Sequence, residues 1–297
     1  MKKIFITFLT LILVSINLFS SIDFSQVDDL YIQNETAQIK PILVDQLKVA
    51  TQDIDKAEIY WRLSRIQIKL GDESESKNDK NTEYELALEY ANKSIEIYDN
   101  STAHLWKISS VGKLSQTQSM LKAFASVNII KDELRIILDQ FEDLELSEAW
   151  FVLGLMYTHV PGGIISFGNK NYGISYLRRA VDTIAANKIS PAYYSQAAKA
   201  IYNRNWDKNK RTKEFKKSNS NWEKTPNPYD KYAYYEGIES GKNTPYYSTV
   251  PINTMSDRQE AVMLLNYAVA KYNVWPQHTD EEDKSIAEVK ELISQWT

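Results

Sequence analysis

The stretch Glu148–Gly173, EAWFVLGLMYTHVPGGIISFGNKNYG, decides the fold prediction. In its first half, Trp150, Gly154 and Tyr157 are three or four residues apart, which places them on one face of a helix. The Pro-Gly-Gly turn at 161–163 then ends that helix and allows a tight loop. The residues after the loop return to helical periodicity, so the stretch predicts two helices joined by a loop.

The combination of an aromatic and a small residue recurs along the chain. Four times a bulky aromatic is followed three residues later by a small residue, at successive spacings of 45, 45 and 43 residues. The four pairs are Trp61 and Ser64, Trp106 and Ser109, Phe151 and Gly154, and Tyr194 and Ala197. Self-similarity at a near-constant period predicts a helical repeat protein.

The whole chain can be divided on this pattern. Repeats are predicted near 55–99, 100–144, 145–188 and 189–272 of a single domain that covers 22–297. Insertions between the helices of a repeat are expected at 71–81, 159–170 and, as a long one, 203–257. A final amphipathic helix over 281–296 is predicted to cap the array, and 24–50 to form one leading helix.

The segment Ala149–Tyr157 contains W-x2-L-G-x2-Y and resembles the first helix of a tetratricopeptide repeat. The resemblance covers roughly 55–272, although that family repeats every ~34 residues and this chain does so at longer spacing. It implies an all-α fold of antiparallel helix pairs stacked as a right-handed solenoid. In such pairs the small residue, here Gly154, lets the second helix approach closely.

The same resemblance implies where a ligand or partner would bind. In that family the first helices line the concave side, so the four aromatics would form a ladder there. The predicted binding residues are Trp61, Arg65, Trp106, Ser110, Phe151, Thr158, His159, Tyr194 and Tyr202. The predicted rim of the site is the loop with Pro161, Gly162, Gly163 and Phe167. The alternative, that the aromatics only pack between repeats, remains open.

The Pro-Gly-Gly loop and the helix after it resemble the T component of periplasmic TRAP-type transporters. The matching residues are Pro161, Gly162, Gly163, Gly173, Tyr176, Leu177, Arg179 and Ala180. This resemblance implies a periplasmic solute-binding protein as partner and allows a homo-oligomer. Members of that family are commonly lipoproteins, and this chain has no cysteine to acylate, so membrane association stays open.

The N-terminal segment 1–21 reads as an export signal. Lys2 and Lys3 precede an apolar run over 4–19, and Ser20 and Ser21 follow as small residues near a cleavage point. We therefore expect a periplasmic or secreted protein, with an uncleaved anchor as the alternative. The net charge of −4 gives no reason to expect nucleic acid as a partner.

Motifs for catalysis and cofactors are lacking. Gly163 and Gly168 have the spacing of a phosphate-binding loop, but the segment follows a helix and continues with Asn-Lys rather than Lys-Ser/Thr. The three histidines show no metal-ligand spacing, and Glu239-Ser240 lacks the flanks of a cell-wall lytic enzyme. We therefore predict no catalytic residue, metal or cofactor.

The sequence favours an exported scaffold for protein–protein interaction, tied through the second resemblance to solute uptake. A carrier with a small apolar ligand or lipid in an aromatic groove is the alternative, and a cell-wall enzyme ranks third. The insertion between Trp206 and Tyr247 is rich in Trp and Tyr, so we expect it to fold back over the helices. A sugar or peptide contact there is left open.

Overall fold

The computed structural model describes residues 22–117, 120–163, 167–237 and 245–297. These residues form thirteen α-helices and no strand, with one isolated bridge between Gly162 and Gly168. The all-α prediction is therefore confirmed. The predicted signal over 1–21 and the Glu239-Ser240 dipeptide lie outside the described residues.

The chain divides into two compact units, the first ending at Glu133 and the second covering Leu134–Thr297. The first contains α1 Ser25–Ile32, α2 Thr36–Val49, α3 Asp53–Glu73, α4 Lys77–Ile97 and α5 Ser101–Thr117, and α6 is Met120–Arg135. The prediction of a single domain over 22–297 stays a prediction.

Two sequence predictions for the first unit are wrong. The leading segment forms two helices rather than one, because Asn34 takes a left-handed conformation (φ 66°), which asparagine tolerates, and ends α1. The insertion expected over 71–81 is also absent as a loop. There α3 continues to Glu73, and α4 begins at Lys77 after Ser76 accepts a hydrogen bond from the amide of Asp79. The polar residues over 71–81 had suggested a loop, but they lie at the exposed ends of the two helices.

The core of the first unit lies between α1, α2 and α3. It is built from aliphatic side chains that are almost completely buried: Val27, Ile39, Leu43, Ile59, Leu63 and Ile66. Consecutive helices pack on each other, most extensively α3 on α4. Because only three residues separate α3 from α4, the two form a helical hairpin.

A buried charge centre joins α5 to α6 in this unit. The His104 ring lies between two carboxylates, with Nδ1 at Glu133 and Nε2 2.8 Å from Asp99. Burial lowers the pKa of His104, but the bonds to Glu133 and Asp99 outweigh it and leave the pKa raised. The imidazolium is therefore stabilised, and this contribution to stability is lost as the pH rises through the raised pKa.

The second unit contains seven α-helices among its described residues. They are α7 Ser147–His159, α8 Lys170–Asp182, α9 Pro191–Arg204, α10 Lys208–Lys224, α11 Pro228–Lys231, α12 Asp257–Val274 and α13 Asp280–Trp296. A π-helical turn Ile136–Gln140 and 3₁₀ turns Tyr232–Tyr234 and Ile252–Thr254 complete it. Helix α8 packs on α7 and α9, and α9 packs on α12 and α13. A helix thus lies where the capping helix is predicted.

Two glycines allow α7 and α8 to cross closely. A Cβ atom on Gly154 would lie 2.6 Å from Leu177 Cγ and 3.0 Å from the Leu177 backbone nitrogen. A Cβ atom on Gly173 would lie 2.9 Å from the carbonyl oxygen of Gly154. The backbones themselves are in the way, so a larger side chain would force the helices apart. The expectation that Gly154 serves a helix contact is confirmed.

The described residues of the insertion over 203–257 include helices. The insertion contributes α10, which its many lysines, asparagines and serines concealed in the sequence, and then a set of buried tyrosines. Tyr229 accepts a hydrogen bond at its carbonyl oxygen from the Tyr176 hydroxyl (2.7 Å), and the rings of Tyr232 and Trp150 lie 4.6 Å apart. The described part of the insertion therefore folds back over α7 and α8, as expected.

A buried ionic network holds α8, α10 and α12 together. Glu260 is fully buried and accepts two hydrogen bonds from Arg178 (2.9 and 2.7 Å) and one from Arg211 (2.6 Å). The Tyr247 hydroxyl donates a further bond to it at 2.9 Å. The positive charges of the two arginines hold the pKa of Glu260 far below its usual value despite the burial.

The same network extends to α9 and to the insertion. Arg204 donates two hydrogen bonds to the fully buried Asp257, both at 2.8 Å. Arg178 also donates to Glu236 at 2.8 Å. The three arginines are thus balanced by three carboxylates, and the network carries no net charge.

Asp182 is expected to make unit 2 less stable as the pH approaches neutrality. It accepts a hydrogen bond from the Tyr235 hydroxyl at 2.6 Å, and burial raises its pKa from 3.8 to about 7 against the opposing effect of Tyr235, Arg179 and Arg178. Because the folded pKa exceeds the unfolded one, its stabilising contribution is complete below about pH 4 and is lost as the pH rises through 7.

The substitution Asp182→Asn keeps a side-chain oxygen that accepts the hydrogen bond from Tyr235, but it removes the carboxyl group that titrates. We expect it to raise the free energy of unfolding at pH 8, by up to roughly 4 kcal/mol at 1.4 kcal/mol per pKa unit, and to leave it unchanged at pH 4. Urea unfolding of the wild type and the variant at pH 4, 6 and 8 measures this difference. Parallel pH profiles for the two proteins would contradict it.

Candidate functional site

A groove in the second unit is the best candidate for a binding site. It encloses about 310 Å³ between the end of α7, the start of α8 and the second half of α9. Its lining residues carry polar or short side chains: Thr158, His159, Lys170, Gln196, Lys199, Ala200 and Asn203. The volume lies at the lower end of the range for ligand-binding clefts, which is ~300–1,000 Å³.

Local sequence explains why α7 and α8 leave an opening here. Helix α7 ends at His159, two residues before Pro161, which cannot continue the hydrogen-bond ladder. Helix α8 begins after Asn169, whose side chain accepts hydrogen bonds from the amides of Asn171 and Tyr172. The cap fixes the first turn of α8, and with it the position of the Lys170 backbone at the groove.

The groove presents mainly hydrogen-bond donors. Lys199 pairs with Glu288 at 2.8 Å, and this hydrogen bond lowers the pKa of Glu288. Lys170 forms no ion pair with any residue in the described parts of the chain. Together with the amides of Gln196 and Asn203, these ammonium groups suit a ligand that carries carboxylate or carbonyl oxygens.

The hydroxyl and imidazole in the groove are tied to the backbone. The Thr158 hydroxyl lies 3.0 Å from the Gly154 carbonyl oxygen and 2.9 Å from that of Leu155. His159 Nδ1 lies 2.9 Å from the same Leu155 carbonyl oxygen, so this nitrogen carries the hydrogen. A protonated Nδ1 cannot accept the threonine hydrogen, and the two side chains are not arranged as a nucleophile and its base.

In the first unit the predicted binding residues are largely enclosed. Trp61 is 8% exposed, and Trp106 is half-buried. Arg65 donates a hydrogen bond to Asp28 at 2.6 Å, which neutralises its charge within the unit. Ser110 is fully buried and donates to the Trp106 carbonyl oxygen at 2.8 Å. Trp61, Arg65 and Ser110 therefore pack or pair within their own unit.

In the second unit the predicted residues divide into two groups. Tyr194 is 1% exposed, Phe151 stacks on Tyr193 at 3.9 Å, and Tyr202 stacks on Trp296 at 3.9 Å. These aromatic side chains already have ring partners. Thr158 and His159, by contrast, line the groove described above.

The predicted rim loop is exposed at its tip. Pro161, Gly162 and Gly163 are all exposed, whereas Phe167 packs with its ring 5.1 Å from that of Tyr157. Sequence reasoning missed Lys170, Gln196, Lys199 and Asn203. The last three are spaced by three and four residues and so share one face of α9, a polar stripe that could have revealed them.

The described ranges contain neither a candidate metal cluster nor a candidate membrane span. There, no group of three or more His, Cys, Asp or Glu side chains is placed to hold a metal ion. None of the helices in those same ranges combines the length and the apolar character needed to cross a membrane.

Comparison with known families identifies a similarity in the first part of the chain. A family model described as "Regulator of microtubule dynamics protein 1-3" matches residues 23–155, which is less than half of the 297 residues. Among curated proteins, no relative matches the chain. The matched range ends within α7, before the residues that line the groove.

This finding corrects both resemblances drawn from the sequence. The assignment to the tetratricopeptide family and to TRAP T components is wrong, because a different family model matches. The interpretation as a transport accessory rested on the second resemblance and is therefore wrong as well. A small residue where two helices cross, such as Gly154, is required by any closely packed pair, and Pro-Gly-Gly ends helices of many folds. Over residues 23–155, the chain is similar to regulators of microtubule dynamics.

Proposed function

We propose that the protein is a helical scaffold that binds a partner protein, and that the groove on α7, α8 and α9 takes an acidic segment of this partner. One observation carries the proposal: Lys170, Lys199, Gln196 and Asn203 converge on one concave surface. Ammonium and amide groups donate hydrogen bonds to carboxylates, and charge-assisted bonds are the stronger kind.

The volume of the groove suits a short peptide segment of the partner better than a flat protein surface. About 310 Å³ accommodates a few side chains of a peptide and leaves its ends free. The aliphatic stems of the two lysines and the methyl group of Ala200 give the peptide backbone an apolar surface to cover.

The proposal also includes the stacking of helix pairs as a solenoid within each unit. The packing of consecutive helices on each other supports this part of the proposal.

The family similarity supports a protein partner. The matching family is described as regulating microtubule dynamics, and such a regulator acts on a protein assembly. We carry over to this chain only the class of interaction. No catalytic role is part of the proposal, since the hydroxyl and imidazole of the groove are tied to backbone carbonyl groups.

A carrier for a small apolar ligand is less well supported. It would need accessible aromatic surface, whereas Trp61 and Tyr194 are 8% and 1% exposed. Export stays part of the proposal, on the strength of the lysines and the apolar run within 1–21. Mass spectrometry of the N-terminus of the mature protein would test export, and an intact Met1 would contradict cleavage.

The groove is tested with the double variant Lys170→Glu/Lys199→Glu. A fluorescein-labelled hexaglutamate peptide serves as the acidic probe, and its anisotropy is titrated with the full chain at low salt. We expect the double variant to weaken binding at least tenfold, because two attractions become repulsions. The control Lys224→Glu changes an exposed lysine outside the groove and should change affinity less than twofold. Equal weakening by both variants would contradict the proposal.

A further inference from the structure

A second cavity in unit 2 is independent of the groove proposed above. It encloses about 170 Å³ between the first turn of α8, the end of α9, α10 and the insertion residues up to Glu236. Its walls carry hydroxyl, amide and carboxylate groups together with three aromatic rings, of Tyr172, Trp206 and Tyr234. Because most of the wall is polar, the cavity does not suit an apolar molecule.

Two of the charged groups in the wall, Glu236 and Arg204, are fixed by the ionic network. Glu236 is held by Arg178 at 2.8 Å and by the Ser218 hydroxyl at 3.2 Å. Arg204 is held by both oxygens of Asp257, and its guanidinium carbon lies 4.0 Å from the centre of the Trp206 ring. Groups that are already oriented lose little entropy when a ligand arrives.

The two phenols in the wall are also held in place. The hydroxyl groups of Tyr172 and Tyr234 lie 3.2 Å apart, and their rings meet edge to face at 5.4 Å. Their hydrogen bond, with burial, raises the pKa of Tyr172 to about 12. Tyr172 therefore keeps its hydroxyl hydrogen at neutral pH, and this hydroxyl group can donate a hydrogen bond to a ligand.

Two amides in the wall remain available for a ligand. The side chains of Asn171 and Asn221 form no hydrogen bond with another residue of the described ranges. Each amide offers two donors and one acceptor in a plane, which matches two neighbouring hydroxyl groups of one molecule. Their positions on α8 and α10 put these amides on two different helices that border the cavity.

The charge and size of the cavity restrict the class of ligand. Arg204 and Lys217 are balanced by Glu214 and Glu236, so the wall favours neither an anion nor a cation. The volume of about 170 Å³ is below the ~300–1,000 Å³ of clefts for drug-sized ligands, so the cavity suits a small molecule such as one six-membered sugar ring with its hydroxyl groups. The hydrogen-bond donors and acceptors of the wall can bond to the hydroxyl groups of a sugar. The aromatic side chains of the wall can pack against the C–H groups of its ring.

We propose that this cavity binds a neutral pyranose. Asn171, Asn221 and Glu236 would bond the hydroxyl groups, and the aromatic side chains Tyr172, Trp206 and Tyr234 would cover the ring. The site is separate from the groove for a protein partner, so either proposal can fail while the other stands.

The test uses the full chain and three sugars, D-glucose, D-galactose and N-acetyl-D-glucosamine, at up to about 50 mM, a concentration that suits a small neutral ligand of weak affinity. Saturation-transfer NMR of the sugar protons detects binding. We expect transfer to at least one of the three sugars, and a loss of at least tenfold in affinity for the double variant Asn171→Ala/Asn221→Ala.

The matched control is Asn219→Ala, which removes an exposed amide two residues before Asn221 that does not line the cavity. This variant should bind the sugar as the wild type does, and circular dichroism should show the same melting temperature for all three proteins. Absence of transfer to every sugar would overturn the proposal. Equal transfer in the wild type and the double variant would overturn it as well.

Discussion

Replacing Glu260 with alanine is expected to lower the free energy of unfolding of unit 2 by about 3–5 kcal/mol. The substitution leaves the guanidinium groups of Arg178 and Arg211 with too few carboxylates, and both side chains are only 2% exposed. Removing one partner of a buried ion pair is costly because the remaining charge cannot regain its hydration.

Hydrogen exchange followed by mass spectrometry would measure this effect within unit 2. Protection of α8 and α12 should fall in Glu260→Ala, and the urea midpoint should drop. The control Glu288→Gln removes the more exposed pair with Lys199 and should cost at most about 1 kcal/mol. Equal costs for the two substitutions would show that the network is not a source of stability.

Replacing Trp150 with alanine is expected to cost about 3–5 kcal/mol as well, for a different reason. Trp150 is completely buried, with its ring 5.9 Å from that of Tyr176 and 4.6 Å from that of Tyr232. Its Nε1 also donates a hydrogen bond to the Leu144 carbonyl oxygen at 2.9 Å. Alanine leaves a cavity between α7, α8 and the insertion, and removes one of the two hydrogen bonds to that carbonyl oxygen, which keeps the bond from Arg179 at 3.0 Å.

Chemical unfolding followed by far-ultraviolet circular dichroism would measure the cost. The half-buried Trp275 lies just after α12, and Trp275→Ala should cost about 1 kcal/mol or less. Trp150→Phe separates the two contributions, since it fills most of the volume but donates no hydrogen bond. A loss of under about 1 kcal/mol in Trp150→Ala would mean that the insertion does not pack on α7 in solution.

Much of the fold could be predicted from periodicity, because a buried helix face requires a regular spacing of apolar side chains. The pattern at Trp150, Gly154 and Tyr157 found α7 and its close contact with α8. Helix α10 escaped prediction, since only Arg211 and Phe215 of its residues are buried and its remaining sequence is polar. Its position depends on contacts with residues distant in the sequence, which a local pattern does not contain.

The candidate site was less accessible to sequence reasoning. Thr158 and His159 were predicted because they lie on the aromatic helix α7, at positions that line the concave side in the tetratricopeptide family, but Lys170 and Lys199 come from two other helices. A lysine on a helix is usually a solvated residue, so only the folded arrangement reveals that the two meet at one groove. The sequence left the role of the aromatic ladder open, because an aromatic at helical spacing fits a core as well as a groove.

The wide separation of the ionic partners in the sequence has a consequence for how the chain can assemble. Arg178 precedes its partners Glu236 and Glu260 by 58 and 82 residues, so a ribosome that has released α8 must add more than half of the insertion before the first carboxylate can neutralise that arginine. Until then an arginine destined for the interior has only water as its partner. Unit 2 is therefore expected to close in one late step during synthesis, and chains truncated before Glu260 should expose α8 to proteases.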